Sequence, residues 1–237
     1  YGLKQSGELW NRLLHEYLLK YGFTRSSCDA CLYVKSLSDG QLLYLLIYVD
    51  DLLAAAKNRR IIHEFWEYME KRFKITRNGD VNHFLGMDIS RDRGNRLIKV
   101  SQSKYVTAVV DKYLEETATT ALIPGAPSLK LRLSNGGSEA PIWDITGSLR
   151  FAADRTRPDI LFALNVLSSA AASPGPEHVR AAKRVLRYLK GTEDSHLVLG
   201  GKGSVVPIGY CDASYTPDGD GKSQFGYCIH LNDTGAN

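Results

Sequence analysis

The chain lacks a strong excess of one charge and any long apolar run. These two absences limit which classes of partner and which kind of membrane association the sequence can indicate. Its 237 residues contain 30 Lys and Arg against 26 Asp and Glu, a net charge of +4. This charge permits a polyanionic partner but does not demand one. Because no apolar run approaches the roughly 18 residues of a membrane span, we expect a soluble protein with no membrane partner. With 43% hydrophobic residues the chain can bury a core, and its length is typical of one or two domains.

Cysteine is also scarce, with only Cys28, Cys31, Cys211 and Cys228 present. Four cysteines fit a reducing compartment, in which thiols stay free. Cys28 and Cys31 have C-x-x-C spacing, but a zinc site needs a second such pair nearby, and none follows. We therefore expect no metal or redox chemistry there. The chain begins with Tyr1 rather than Met, and we expect it to be a piece of a longer protein.

Two adjacent aspartates interrupt the most apolar part of the chain. Residues 42–49 indicate a buried strand, and residues 52–56 its hairpin partner. Asp50 and Asp51 would then lie at or beside the turn, where Mg²⁺ could bind few carboxylates and keep room for substrate phosphates. Two-metal phosphoryl transfer requires such a cluster. The alternative is an ordinary turn with two solvated carboxylates, because Asp favours turns for local reasons.

Apolar periodicity predicts mixed strands and helices before residue 100 and mainly helices after it. A Pro/Gly/Ser-rich stretch at 124–141 indicates a linker. Thr156 is placed to cap the helix that begins near Pro158. The pattern predicts helices at 6–21, 61–73, 103–114, 145–153, 158–171 and 177–190, and strands at 33–35, 42–49, 52–56, 84–90, 97–100, 206–214 and 225–231.

The predicted helix at 177–190 has one basic and one apolar side. Helical spacing gathers four basic residues on one face: Arg180, Lys183, Arg184 and Arg187. Such a row can track a phosphate backbone, to which it would contribute affinity and salt dependence but no sequence recognition. The alternative is a basic face that contacts only solvent.

Several short motifs occur in an order that is specific when they are taken together. They are Tyr1-Gly2-Leu3-Lys4-Gln5-Ser6, Leu9-Trp10, Tyr48-Val49-Asp50-Asp51, Phe84-Leu85-Gly86-Met87, Ser148-Leu149-Arg150-Phe151, Thr156-Arg157-Pro158-Asp159, His178 and residues 183–192. In this order they resemble the reverse transcriptase in the polyprotein of Ty1/copia-type retrotransposons. The resemblance runs from Tyr1 to the last few residues.

The resemblance implies an α+β fold in three parts. Residues 1–100 would be a polymerase palm remnant of antiparallel strands with helices, without its fingers. Residues 101–200 would be a helical thumb or connection region, and residues 203–237 the first strands of a ribonuclease H-like domain. The family also implies an intracellular location, in cytoplasmic retrotransposon particles.

Site residues and partners follow from the same resemblance. Asp50 and Asp51 would be the catalytic carboxylates and ligands of Mg²⁺ or Mn²⁺, and Asp212 the first metal-binding aspartate of ribonuclease H. The implied partners are an RNA template, a DNA primer, an RNA–DNA hybrid, dNTPs and the rest of the Pol polyprotein. The residues implied to contact the nucleotide and template are Gly2, Lys4, Gln5 and Tyr48. The implied primer grip consists of Phe84, Leu85 and Gly86. The residues implied to bind the nucleic-acid backbone are Arg180, Lys183, Arg184 and Arg187.

The chain departs from the family pattern at Gly7 and Glu8, where Pro and Arg are usual, and at residues 77–79. The palm also needs a metal-binding Asp from a strand before Tyr1, so we expect this chain alone to lose most two-metal catalysis. No Glu follows Glu193, so the ribonuclease H site should be incomplete as well. The alternative function is a decayed or co-opted remnant that binds nucleic acid, or nothing, without chemistry.

Overall fold

The computed structural model describes residues 4–125, 142–169, 174–201, 206–215 and 223–231. The chain divides into two compact units between Val81 and Asn82. Both units combine helices with antiparallel strands, which confirms the predicted α+β class. None of the described helices is both long and apolar enough to cross a membrane.

The first unit is a four-stranded antiparallel sheet packed against two helices. The four strands lie side by side in the order in which they occur in the chain. The first helix is capped by Gly22, whose left-handed φ of 94° suits glycine. The elements are α1 (Ser6–Tyr21), β1 (Thr24–Arg25), β2 (Leu32–Ser36), β3 (Leu42–Tyr48), β4 (Asp51–Ala56) and α2 (Arg59–Glu70).

The side chains of strand β3 alternate between the buried face and the exposed face of this sheet. Leu43, Leu45 and Ile47 are buried, whereas Tyr44 and Tyr48 between and after them are exposed, as the two-residue period of a strand requires. The buried side chains pack in one core with residues of both helices, among them Leu14, Leu18, Phe65 and Met69. This core fixes the hairpin of β3 and β4 from one side only.

The second unit contains a four-stranded sheet of order β5-β6-β7-β8. The predicted pairing with residues 97–100 is confirmed. The prediction of one strand over 84–90 is wrong, because a turn at Leu85 and Gly86 separates Phe84 from the strand that begins at Met87. Strand β8 was not predicted, and it pairs antiparallel with β7 from far along the chain. The strands are β5 (His83–Phe84), β6 (Met87–Asp92), β7 (Leu97–Ser101) and β8 (Leu197–Gly200).

Helices between β7 and β8 build the core of this unit, in which Leu149, Leu164 and Leu186 are fully buried. The prediction that Thr156 caps a helix is wrong, because Arg157 occupies the N-cap position and no side chain caps it. The Thr156 hydroxyl donates to Gln102 Oε1 at 2.9 Å. The predicted linker lies mostly outside the described residues. The helices are α3 (Ser103–Tyr113), α4 (Ile142–Ala153), a 3₁₀ turn (Pro158–Ile160), α5 (Leu161–Ser169) and α6 (Pro176–Lys190).

The final pair of strands forms an antiparallel hairpin, β9 (Pro207–Ser214) and β10 (Gln224–Leu231). Both strands were predicted, with bounds that differ by one residue. Every residue of β9 is exposed, and so are the aromatic side chains of Phe225 and Tyr227 on β10. A two-stranded hairpin without a packed face has little stability of its own in water.

Candidate active site

The two aspartates lie at a tight turn between β3 and β4. Tyr48 pairs with Asp51, which leaves Val49 and Asp50 as the two central residues. Val49 has a φ of 57°, whereas Asp50 does not have a positive φ, a combination found in type II′ turns. Glycine usually occupies the first central position. A β-branched residue with positive φ is rare, and such strain is concentrated at functional sites.

A tryptophan from helix α1 holds the turn. The indole Nε1 of Trp10 donates a hydrogen bond to the Val49 carbonyl at 2.8 Å. The indole ring packs edge-on against Phe73, with 5.4 Å between ring centroids. Sequence reasoning missed this contact. The available signal was the indole itself, because a partly buried Trp N–H usually finds an acceptor.

The carboxylates of Asp50 and Asp51 are exposed, and neither has a hydrogen bond or ion pair within the described residues. Asp51 lies directly across from Tyr48 on the exposed face of the sheet. Free carboxylate oxygens with open space around them suit Mg²⁺, which keeps waters and takes phosphate oxygens as further ligands. The described residues contain no cluster of three or more His, Cys, Asp or Glu that could hold a metal. The two carboxylates could supply only part of a metal site, and their role as metal ligands stays a prediction.

The nucleotide-binding residues predicted at the start of the chain lie just before α1. Lys4 and Gln5 are exposed, and the Gln5 carbonyl accepts the first helical hydrogen bond from the Leu9 N–H at 3.1 Å. Gly2 lies outside the described residues. The structure thus brings Lys4 and Gln5 to the end of the helix that carries Trp10, and their binding role stays a prediction.

The predicted primer grip is a second strained turn, in the second unit. Phe84 pairs with Met87, and the central residues Leu85 and Gly86 have φ values of 51° and 77°. Two positive φ angles define a type I′ turn. The ring of Phe151 lies beside Gly86 and supports the turn from α4. Its role in gripping a primer stays a prediction.

Two of the four predicted backbone-binding residues on α6 are already bonded within the protein. Arg187 donates to the Thr119 carbonyl and hydroxyl, both at 2.6 Å, and Arg184 donates to the Ile123 carbonyl at 3.3 Å. Residues 116–123, which we call the strap, thus run along this helix. Sequence periodicity located the basic face but gave no sign of the strap.

Arg180 and Lys183 differ from these two arginines. Both are exposed, and neither has a partner among the residues that the structure describes. These two side chains are the free cations of the predicted row.

Asp212 lies exposed on β9, where it pairs across the hairpin with Gly226. Its Oδ1 accepts a hydrogen bond from the N–H of Ala213 at 2.9 Å. Within the described part of the chain it joins no group able to hold a metal.

A different aspartate is held inside a polar cluster. Arg157 is 2% exposed, and its Nη2 lies 2.8 Å from the carboxylate of Asp159. The same guanidinium donates to the Thr192 carbonyl at 2.9 Å, and the Tyr188 hydroxyl donates to Asp159 at 2.8 Å. Burial raises the pKa of Asp159, but the hydrogen bonds from Arg157 and Tyr188 outweigh burial and leave this pKa below its ordinary value.

Two cavities of the second unit lie away from the predicted site residues. One of about 700 Å³ is bounded by residues 190–196 and Val198, and one of about 450 Å³ lies between α3 and Glu193 with Asp194. Neither is lined by Asp212, by the turn at Leu85 or by Arg180, Lys183, Arg184 or Arg187. These predicted site residues therefore lie on exposed turns and faces rather than in the two cavities.

Besides the hairpin with its paired aspartates, the sequence of this chain matches the model of a known protein family. The family model described as "Reverse transcriptase (RNA-dependent DNA polymerase)" matches residues 1–127. The chain belongs to this reverse transcriptase family, and the resemblance to Ty1/copia-type elements is confirmed.

Several relatives are proteins of transposons. The retrovirus-related Pol polyprotein from transposon TNT 1-94 of Nicotiana tabacum is 34% identical over 96% of this chain, which covers 18% of that protein. The corresponding polyprotein from transposon RE1 of Arabidopsis thaliana is 35% identical over 98% of this chain, and 16% of that protein is covered. A putative transposon Ty5-1 protein of Saccharomyces cerevisiae is 33% identical over 91% of this chain and 70% of its own length. No solved structure matches the chain. The chain thus spans less than a fifth of the two plant polyproteins.

Proposed function

We propose that this chain is part of a retrotransposon RNA-directed DNA polymerase in which Asp50 and Asp51 are the catalytic carboxylates. The observation that carries this proposal is the turn itself. Its backbone is strained at Val49 and hydrogen-bonded to Trp10, yet its two carboxylates have no partner among the residues that the structure describes. Membership of the reverse transcriptase family supports the reaction class.

The proposed substrates are an RNA template, a DNA primer and dNTPs, with an RNA–DNA hybrid as product. A bound Mg²⁺ or Mn²⁺ ion would stabilise the attacking and leaving oxygens of the transferred phosphoryl group. Asp50 and Asp51 would hold such ions from the exposed face of the sheet. Tyr48 lies across from Asp51 on this face, where its ring can contact the nucleotide, and Lys4 and Gln5 are the proposed polar contacts near the start of α1.

The two carboxylates make an incomplete cluster within the described residues. We propose that a further carboxylate from elsewhere in the Pol polyprotein completes the site, and that the 237-residue chain alone does not extend primers. The rest of the layout is proposed on family grounds: a palm at 1–100, a thumb or connection region at 101–200, a ribonuclease H-like start at 203–237 with Asp212 as a metal ligand, and a primer grip at Phe84, Leu85 and Gly86. The proposed location is cytoplasmic retrotransposon particles.

Primer extension tests this function directly. The 237-residue chain and a longer polyprotein that contains it would be given a primed RNA template, dNTPs and Mg²⁺. Each would be compared with its Asp50→Asn and Asp51→Asn variants and with Asp111→Asn, a control at an exposed aspartate of α3. We expect extension only by the longer chain, and its loss in the first two variants alone. Failure of the longer chain to extend primers would overturn the function, whereas extension by the short chain would overturn its inactivity.

A second candidate function is a non-catalytic remnant that binds nucleic acid. Exposed Arg180 and Lys183 favour it, because phosphate contacts need no metal. Binding to an RNA–DNA duplex should weaken as salt rises, and each of Arg180→Gln and Lys183→Gln should lower the slope of log K against log salt by about one unit. Unchanged slopes in both variants would show that the helix face does not bind nucleic acid.

A further inference from the structure

We infer that Trp10 is a positioning residue for the proposed active site: its indole N–H selects one orientation of the Val49–Asp50 peptide and thereby the direction of the two carboxylates. The inference rests on the proposed function, since the direction of Asp50 and Asp51 matters for catalysis only if this turn is the active site.

Trp10 can affect the conformation of the turn because of the atom to which it donates. The Val49 carbonyl belongs to the peptide between the two central residues of the turn. Rotation of that peptide interconverts type II′ and type I′ turns, which differ in the sign of φ at the second central residue. Asp tolerates the left-handed region better than most residues, so Val49-Asp50 has access to both turns.

The two turns differ in their bond to Trp10. The observed turn has a positive φ at Val49 but not at Asp50, and its carbonyl accepts from the indole at 2.8 Å. Rotation of the peptide would point this carbonyl away from the indole and break the bond. The net contribution of one hydrogen bond corresponds to a shift of about two- to twelvefold in the ratio of the two forms.

The donor is itself held in place by aromatic packing between the two helices of the unit. Trp10 lies edge-on to Phe73, which lies edge-on to Tyr17 with 5.1 Å between ring centroids. Tyr17 stacks on Tyr68 at 4.5 Å, and its hydroxyl donates to the Tyr68 carbonyl at 2.9 Å. The indole is therefore a fixed donor, as a group that orients a turn must be.

The test replaces Trp10 with 3-benzothienylalanine, in which sulfur takes the place of the indole N–H while the ring keeps its shape. The matched control is the same replacement at Trp66, a half-buried tryptophan of the same unit that packs against Phe65 at 4.8 Å. Trp10→Phe serves as a second variant that also lacks the donor.

The first measurement uses the 237-residue chain and needs no activity. Amide chemical shifts and hydrogen exchange of Val49, Asp50 and Asp51 are recorded by NMR for each protein. We expect the Trp10 variants to shift these signals and to speed their exchange about two- to twelvefold, and the Trp66 control to leave them unchanged. Identical turn signals in the Trp10 variants and the parent would overturn the inference.

The second measurement uses the longer polyprotein and separates kcat from KM for dNTP addition. A positioning role predicts a fall in kcat of about two- to twelvefold, with little change in KM or in the thermal midpoint. If the unsubstituted longer chain does not extend primers, the proposed function fails, and the catalytic part of this inference fails with it. If the longer chain extends primers and the Trp10 variants match it in kcat, the inference is overturned while the function stands.

Discussion

Asp159 lies between a buried arginine and a tyrosine hydroxyl, whereas Asp50 and Asp51 lie at an exposed turn without a partner among the described residues. In the first region the negative charge is paired with a buried guanidinium at the protein surface, and the pair joins elements of the second unit. In the second region the protein fixes the backbone beneath the carboxylates and leaves their oxygens open. The difference separates acidic residues that stabilise the fold from those available to a ligand.

The largest effect expected from this contrast is on stability at Arg157. Arg157→Met should lower the free energy of unfolding by about 1–3 kcal/mol, because it leaves the Thr192 carbonyl without its donor and removes the charged hydrogen bonds to the partly exposed Asp159. Chemical denaturation measures the loss. Exposed Arg155 provides the matched control, and Arg155→Met should stay within about 0.5 kcal/mol of the parent. Equal losses of unfolding free energy in the two variants would contradict a structural role for the cluster around Arg157.

The next effect is a pH dependence at Asp159. Its pKa in the folded state lies below the ordinary value, so its contribution to stability is present above the unfolded-state pKa of about 3.9 and is lost as pH falls through the folded-state pKa. Asp159→Asn should flatten the decline of unfolding free energy as pH falls below about 5. Denaturation curves across this range that stay parallel in parent and variant would contradict the prediction.

A smaller change in stability is expected on the basic face of α6, where bonded and free side chains can again be compared. Arg187 is bonded to the strap, whereas Arg180 on the same helix has no described partner. Arg187→Gln should therefore cost about 1 kcal/mol of stability, and Arg180→Gln close to none. Thermal or chemical denaturation checks both. A greater loss at Arg180 would reverse the assignment of structural and free cations.

The smallest effect is expected at the turn itself. Asp50→Asn and Asp51→Asn should change the free energy of unfolding by no more than about 0.5 kcal/mol, because neither carboxylate has a described partner to lose. Chemical denaturation of the 237-residue chain gives this number. A loss of several kcal/mol would mean that these carboxylates stabilise the fold, and the contrast with Asp159 would disappear.

Local patterns in the sequence were sufficient to predict the candidate turn. Alternation of buried and exposed residues in β3 and the short strand after it place Asp50 and Asp51 correctly, because both strands and their turn are neighbours in the chain. The helix at α6 was predicted for the same reason, since its caps and its apolar stripe are local signals.

Features that depend on distant partners were missed or misjudged. Periodicity shows the basic face of α6 but not the carbonyls of Thr119 and Ile123 that bind two of its arginines. Thr156 has the residue type of a cap, yet the helical turn begins one residue later, with Arg157 at the N-cap position, and the Thr156 hydroxyl donates to the distant Gln102. The bond from Trp10 to Val49 joins two motifs that are separate in sequence, and only the packed helix brings them together.

The pairing of β7 with β8 implies an order of folding. Every strand pair of the first sheet joins neighbours along the chain, but β7 and β8 are separated by roughly 95 residues that must be brought into a closed loop. Long-range pairing slows folding. During synthesis the first sheet has all its strands once Ala56 has left the ribosome, whereas β7 must wait for Gly200 before its second edge is covered.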